Sequence, residues 1–182
     1  SMYMEINELQ KDNYGNIWIT NPYGEKDNNI IAIQTNDSWK HIEAPNSQSY
    51  IPQTIAFDHS NNAWIGFDFK VKNDKIYSEG GIKVFRHSTQ SWYEISNSNI
   101  YPGGDAAASV WSLVIDKMNY LWVLNEKGIR VYSFQFNSDN TINLSPEYKS
   151  SIDNEPLEFL PYVSYTKGNK IKVDSKNNKW IV

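Results

Sequence analysis

The sequence contains no cysteine, only three histidines among its 182 residues, and no apolar run near the roughly 18 residues that a membrane-spanning helix needs. Without cysteine there is no disulfide scaffold, no thiolate catalysis and no cysteine-ligated zinc. Cationic residues are outnumbered: 17 Lys and Arg stand against 21 Asp and Glu, the formal net charge is −4 and the pI is about 5.4. The basic footprint of a nucleic-acid-binding protein is therefore missing. Nor does any segment sustain the 3.6-residue apolar period of an amphipathic helix. What the chain does have is 40% hydrophobic and 14% aromatic residues, with seven Trp. That is enough to bury a core and argues against disorder. The length fits one domain or part of a larger one.

Four segments align without gaps, at 9–19, 55–65, 113–123 and 171–181. They read Leu9-Gln-Lys-Asp12-Asn-Tyr-Gly15-Asn-Ile-Trp18-Ile19, Ile55-Ala-Phe-Asp58-His-Ser-Asn61-Asn-Ala-Trp64-Ile65, Leu113-Val-Ile-Asp116-Lys-Met-Asn119-Tyr-Leu-Trp122-Val123 and Ile171-Lys-Val-Asp174-Ser-Lys-Asn177-Asn-Lys-Trp180-Ile181. Asp precedes Trp by six residues each time, and successive Trp are 46, 58 and 58 residues apart. Self-similarity at such a period is the mark of a repeat architecture.

The chemistry of the unit explains its spacing. Aliphatic residues flank it at both ends, as in a pair of strands. Asp12, Asp58, Asp116 and Asp174 open a turn in which the carboxylate accepts from backbone N–H groups just ahead. Gly15, Asn61, Asn119 and Asn177, three residues on, are the residue types that tolerate positive φ, which matches a type I turn closed by a left-handed residue. On that reading alone, Asn119→Gly is neutral or stabilising and Asn119→Val is not. Trp18, Trp64, Trp122 and Trp180 then head the returning strand and bury a large ring.

A third strand is expected at Gly81-Ile82-Lys83-Val84-Phe85 and Gly128-Ile129-Arg130-Val131-Tyr132, entered through another positive-φ position, with Asn29-Ile30-Ile31-Ala32-Ile33 as a weaker copy. A fourth follows at Ser38-Trp39-Lys40-His41-Ile42 and Ser91-Trp92-Tyr93-Glu94-Ile95, with a third copy around Glu147-Tyr148-Lys149 that has lost the Trp. Four short antiparallel strands per repeat predict an all-β fold: a partial β-propeller of about three four-stranded blades plus the start of a fourth, occupying 1–182 as one unit. Trp39 and Trp92 are expected to pack within blades. The stretch from Asp105 to Ser112 is expected to make a short helical turn between blades.

Three repeats and the start of a fourth do not close a ring of about four to eight blades. Ser1-Met2 reads as a tag-cleavage scar, and Lys179-Trp180-Ile181-Val182 is an apolar, β-prone chain end. Together these predict an excised piece of a longer protein, in which neighbouring sequence completes the ring. Otherwise copies associate through exposed blade edges as a homo-oligomer.

Motifs for chemistry are sparse. His41, His59 and His87 form neither His-x-His nor His-Glu-x-x-His spacing. The repeat aspartates are explained by their turn position, and Asp12–Asn16 lacks the closing Glu of a calcium loop. Gly103-Gly104-Asp105 and Glu79-Gly80-Gly81 do not fit a phosphate-binding loop, and no Gly-x-Ser-x-Gly elbow occurs. No catalytic or metal-ligating residue and no cofactor is expected. Trp111, outside the repeat register, together with Tyr101 and Tyr120, is the candidate for stacking on a ligand at a loop face.

The element Asp12-Asn-Tyr-Gly15-Asn16-Ile17-Trp18-Ile19, followed by Gly-Ile-x-Val-aromatic, resembles the two-component regulator propeller repeat, and the resemblance runs through the whole chain. The copies at 58, 116 and 174 depart by carrying Asn for Gly. The resemblance implies an extracytoplasmic location, in the periplasm or at the cell surface, and no catalysis by this domain. Two groups carry such repeats: the sensing regions of hybrid two-component histidine kinases, common in gut Bacteroidetes and often tuned to glycans, and a surface propeller of the type IX secretion system. The long repeats and the strings Trp18-Ile-Thr-Asn21 and Asn178-Lys-Trp-Ile181 lean toward the second. The expected task is recognition of an envelope protein or glycan-like ligand through end-face loops. The alternatives are a metal-dependent lyase, after a remoter resemblance to streptogramin-inactivating lyases, and a pure scaffold.

Overall fold

Alternating aliphatic runs broken by Asp, Asn and Gly leave the chain little choice but short strands joined by tight turns. The computed structural model describes residues 6–22, 29–45, 50–95, 109–125, 128–147, 151–152, 155–156 and 168–182. Every regular element among them is a strand. Blade 1 comprises β1 (Leu9–Lys11), β2 (Ile17–Thr20), β3 (Asn29–Gln34) and β4 (Trp39–Glu43). Blade 2 comprises β5 (Ile51–Phe57), β6 (Ala63–Lys72), β7 (Lys75–Arg86) and β8 (Ser91–Glu94). Blade 3 comprises β9 (Val110–Ile115), β10 (Leu121–Asn125), β11 (Gly128–Phe136) and β12 (Ile142–Pro146). A short pair, β13 (Ser151–Ile152) and β14 (Glu155–Pro156), precedes a last hairpin of β15 (Ile171–Val173) and β16 (Lys179–Ile181).

Each blade is a four-stranded antiparallel meander in chain order. The repeat fixes the register of every first hairpin: Leu9 pairs with Ile19, Ile55 with Ile65, Leu113 with Val123 and Ile171 with Ile181. Four expectations need correction. The fourth strand of blade 3 is Ile142–Pro146 and ends before Glu147. Asn29 does not take positive φ, because it enters β3 through an irregular pairing, whereas Gly81 (φ 80°) and Gly128 (φ 119°) do. Residues 110–112, assigned to a helical turn, are the start of β9, while 105–108 lie outside the described residues. Trp39 is exposed on the outermost strand of blade 1 rather than packed within it.

The core lies between blades. One apolar layer joins Trp18 and Ile31 of blade 1 to Tyr50, Ile65 and Phe67 of blade 2. A second joins Trp64 and Val84 to Val110, Leu121 and Ile142 of blade 3. A third joins Trp122 and Val131 to Ile171 of the last hairpin. In each, the repeat Trp is covered by the following unit: Phe57 meets Trp18 edge-on at 5.1 Å, and Phe134 lies 4.4 Å from Trp64. Trp92 also ties units together, since its Nε1 donates to the Glu43 carbonyl at 3.1 Å across 49 residues of sequence.

Gly66 marks the tightest approach. A Cβ there would stand 2.6 Å from both Thr54 Cγ2 and Val110 Cγ1, so only glycine lets β6 approach the inner strands of blades 2 and 3. Gly66→Ala is expected to destabilise the protein by ~1–3 kcal/mol through overpacking, and Trp64→Ala by ~3–5 kcal/mol. Equilibrium urea unfolding measures both, and a wild-type midpoint for Gly66→Ala would show that the layer between blades yields.

Candidate functional site

The repeat aspartates are consumed by the fold. Asp12 Oδ1 accepts from the N–H of Tyr14 and of Asn16, both at 2.9 Å, and Oδ2 accepts from Asn16 Nδ2 and Trp18 Nε1, also at 2.9 Å. Asp58 repeats the set with Ser60, Asn62 and Trp64, and Asp174 with Lys176, Asn178 and Trp180. Asp116 lacks the amide, because Tyr120 stands where the others have Asn. Lys179 Nζ, 2.8 Å from Oδ2, takes its place, while Trp122 Nε1 donates at 3.1 Å. Four donors around two oxygens leave a carboxylate no lone pair for a metal or a proton relay. Burial alone would raise the Asp12 and Asp116 carboxyls. For Asp12 the donors Asn16 and Trp18, and for Asp116 the donor Lys179 with the Tyr120 N–H, outweigh it and hold both below the usual carboxylate range. The Asn178 amide and its companions lower Asp174 to about 2.

The turn geometry follows. Gly15 (φ 93°), Asn61 (62°), Asn119 (63°) and Asn177 (67°) are left-handed, and each donates its N–H to the carbonyl of the Asp three residues earlier. The Asn residues do more than tolerate that backbone. Asn61 Oδ1 accepts from the N–H of Asn13 at 2.8 Å, Asn119 Oδ1 from His59 at 3.3 Å, and Asn177 Oδ1 from Lys117 at 3.0 Å. Each bond crosses to the preceding unit. A second bond runs the other way along the inner strands: Ile55 N–H donates to Glu8 Oε2, Leu113 N–H to Thr54 Oγ1 and Ile171 N–H to Ser112 Oγ. Residues 8, 54 and 112 stand four before the Asp, one place outside the aligned segment, and only their shared capacity to accept a hydrogen bond signals them in the sequence. Asn119→Gly therefore removes an inter-blade bond and is not the neutral change that the backbone alone predicts.

The ligand candidates are not brought together. Trp111, half-buried on β9, and Tyr120, half-buried beside the Asp116 turn, sit at opposite ends of the β9–β10 hairpin, roughly 13 Å apart along the strand at ~3.3 Å per residue. Tyr101 lies outside the described residues. Of the four repeat Trp, Trp180 is not core: 57% of it is exposed, against 7% or less for the other three. His41 is exposed on the outer strand β4, His59 is in the Asp58 turn, and His87 is in the β7–β8 turn beside the ring of Tyr14. Among the described residues no three His, Asp or Glu side chains are grouped to hold a metal ion.

One element departs from the repeat. β6 and β7 run past the blade, from Asp68 and Glu79 to a two-residue turn at Asn73 and Asp74, both left-handed as a type I′ turn demands. Consecutive positive φ at Gly80 and Gly81 bends β7 where the extension leaves the blade. Its base is stitched down. Ser109 Oγ donates to Asp68 Oδ1 at 2.7 Å and accepts from the Phe69 N–H, and Ser78 Oγ donates to the Asp68 carbonyl. Its outer part presents Val71 and Ile76, paired across the strands and 55% and 65% exposed, beside Lys70, Lys72 and Lys75. The hairpin points to the end opposite the Asp turns. Sequence reasoning missed it, although Asn73-Asp74 between β-prone runs was the available signal.

No protein-family model matches the chain, and no curated protein does. Among solved structures it is similar to the extracellular domain of BT4673 from B. thetaiotaomicron, described in one structure as part of a one component system and in another as part of a hybrid two component system. The TM-scores are 0.58 and 0.56 at 15% identity, over 97% of this chain and 20% of that one. It is also similar to virginiamycin B lyase from Staphylococcus aureus, with a TM-score of 0.50 and 14% identity, over 95% of this chain and 47% of that one. The chain thus spans a fifth of the first solved chain, itself an extracellular domain, and just under half of the second. At these identities the likeness speaks to the fold, and the fold is that of β-propeller blades.

Two outcomes follow for the turns. Asn61→Gly is expected to cost about 1 kcal/mol in urea unfolding, the worth of one hydrogen bond, and Asn61→Val more, because it adds left-handed strain. Asp12, Asp116 and Asp174 have depressed folded-state values, so their contribution is full above the unfolded carboxyl value and is lost as pH falls through the folded one. Stability measured by thermal unfolding should hold near neutrality and fall steadily from about pH 4 toward pH 2. A flat profile there would contradict the hydrogen-bonded carboxylates.

Proposed function

We propose that this chain is a recognition module of an extracytoplasmic bacterial protein, binding a protein or glycan-like partner through the loops at the end opposite the Asp turns. The carrying observation is the β6–β7 extension. The repeat side chains are spent on structure, and this hairpin is where the described strands leave the repeat to present an apolar pair flanked by lysines. Likeness to the extracellular domain of a two-component system supports a sensor assignment, and the resemblance of the repeat to two-component regulator propellers agrees with it. The secretion-system reading shares the location and the binding role and differs in the partner. The same proposal makes the domain non-catalytic. A propeller lyase, which the likeness to virginiamycin B lyase keeps as the second reading, would need divalent metal and one of the three His.

The test is a thermal-shift and calorimetric screen against a panel of soluble oligosaccharides, with photo-crosslinking from position 74 to envelope proteins. The double variant Val71→Ser/Ile76→Ser is expected to keep the wild-type melting temperature and lose the partner. Unchanged binding in that variant would remove the hairpin from the site. Metal-dependent turnover of a streptogramin that any of His41→Ala, His59→Ala or His87→Ala abolishes would overturn the binding-only reading.

A further inference from the structure

The β6–β7 extension belongs to the middle blade, which has a unit packed on either side of it. Register sorts its side chains. Val71 pairs with Ile76, so both stand on one face of the ribbon. Lys70 and Lys72 alternate with Val71 and stand on the other face, where Lys75 joins them as the direct partner of Lys72. Like charges directly opposite each other destabilise a strand pair. Among the described residues no carboxylate pairs with Lys72 or Lys75, and the Lys72 ammonium lies over the Tyr77 ring, 5.6 Å from its centre. Residues 69–77 hold three lysines against one aspartate, in a chain whose net charge is −4. One edge is also open. β5 accompanies β6 only as far as Asp68, and among the described residues β7 alone pairs with Phe69–Lys72. The Phe69 N–H points to the open side, where it donates to Ser109 Oγ at 3.0 Å. Backbone groups alternate along a strand, so the N–H and C=O of Val71, two residues on, point the same way.

We propose that the outer edge of β6 receives an extended peptide segment of a protein partner, one whose acidic and apolar residues alternate. Strand addition uses the three features together. Bonds to the Val71 backbone hold the peptide. Its acidic side chains lie on the face of Lys70, Lys72 and Lys75, and its apolar ones lie on the other face beside Val71. A polyanionic sugar chain or an anionic lipid surface would answer the lysines and leave Val71 and Ile76 bare. A purely apolar partner would leave the paired ammonium groups opposed. The edge of β7 is the poorer template, because Lys70 pairs with Ser78 while Val71 pairs with Ile76, and the extra residue, Tyr77, bulges that strand. The inference rests on the reading of this hairpin as the binding site and names the chemistry of what it binds.

The test uses a fluorescein-labelled peptide of alternating Glu and Val, read by fluorescence anisotropy against the full chain. Beside it stand a block isomer with all its Glu before all its Val, an alternating Lys–Val peptide, a polyuronate oligosaccharide and phosphatidylglycerol vesicles. The alternating acidic peptide should bind most tightly and weaken as salt rises. Lys70→Glu/Lys72→Glu should turn the preference toward the Lys–Val peptide. Val71→Pro is the sharper variant, since an outward-facing edge position tolerates proline but loses the N–H that the peptide needs. It should melt cooperatively and lose about tenfold in affinity, and Val71→Thr, which keeps the N–H, should lose less. If Val71→Pro fails to fold, hydrogen exchange of the Val71 amide replaces it, and the peptide should slow that exchange. Equal binding of the block isomer, full affinity in Val71→Pro or unchanged exchange at Val71 would overturn strand addition. Tighter binding of the oligosaccharide or the vesicles through the same lysines would overturn the peptide. If the peptides fail while a partner crosslinked from position 74 is still released by Val71→Ser/Ile76→Ser, this inference falls and the hairpin stays as the site. Failure of both removes the hairpin from the site.

Discussion

Everything else in this structure rests on a hydrogen bond from an indole to a carboxylate. An Asp buried to a few percent exposure is costly as an ion, and a Trp N–H buried without a partner is costly as a dipole. In the three blades six residues of turn bring the two within 2.9 to 3.1 Å, so each removes the other's penalty, and the exposed last hairpin keeps the same bond. The same carboxylate straps down two backbone N–H groups of the turn that delivers the Trp. Hairpin shape, ring position and charge burial are therefore one arrangement. A neutral amide in place of the Asp would turn one acceptor into a donor facing donors, which explains why no copy substitutes it.

Once the ring is fixed, it defines a face that its own blade cannot cover. Trp18, Trp64 and Trp122 are each closed over by the following unit, and the apolar layers lie between blades. Side chains reaching across to backbone N–H groups give each junction direction and register. Gly66 shows how closely the sheets then approach. The inner surfaces, turns and junctions are all committed to holding the array together, which leaves variation to the strand ends, where β6 and β7 extend.

Much of this was legible in the sequence because the repeat repeats its chemistry. Asp, a left-handed residue and Trp at fixed spacing specify a hairpin, and four strands per period specify a blade. The junction bonds were not legible, for a physical reason: Asn at positive φ is fully explained by its backbone, so nothing local asks what its side chain meets in another unit. Trp180 misled in the complementary way. Its sequence context equals that of Trp18, but burial belongs to the neighbour, and no further unit packs on this one among the described residues. Tyr101, Trp111 and Tyr120 were grouped by composition alone, and strand register separates the two that are described. The β6–β7 extension was missed because its signal was a single turn in the stretch of variable length between Ile65 and Gly81, to which no strand had been assigned.

Lys179 carries a consequence for how such an array comes apart. In blades 1 and 2 the carboxylate is satisfied by an amide from its own turn, so all four of its donors are local. In blade 3 the fourth donor comes from β16, a strand of the next unit, which also lays its ammonium 4.8 Å from the centre of the Trp122 ring. When the last hairpin frays, the Asp116 charge loses its cation and Trp122 its cover in the same event. Fraying then does not stop at the hairpin but passes into the third blade. Through Lys179 the third blade therefore depends directly on the unit after it, a coupling that the amide-capped carboxylates of blades 1 and 2 lack.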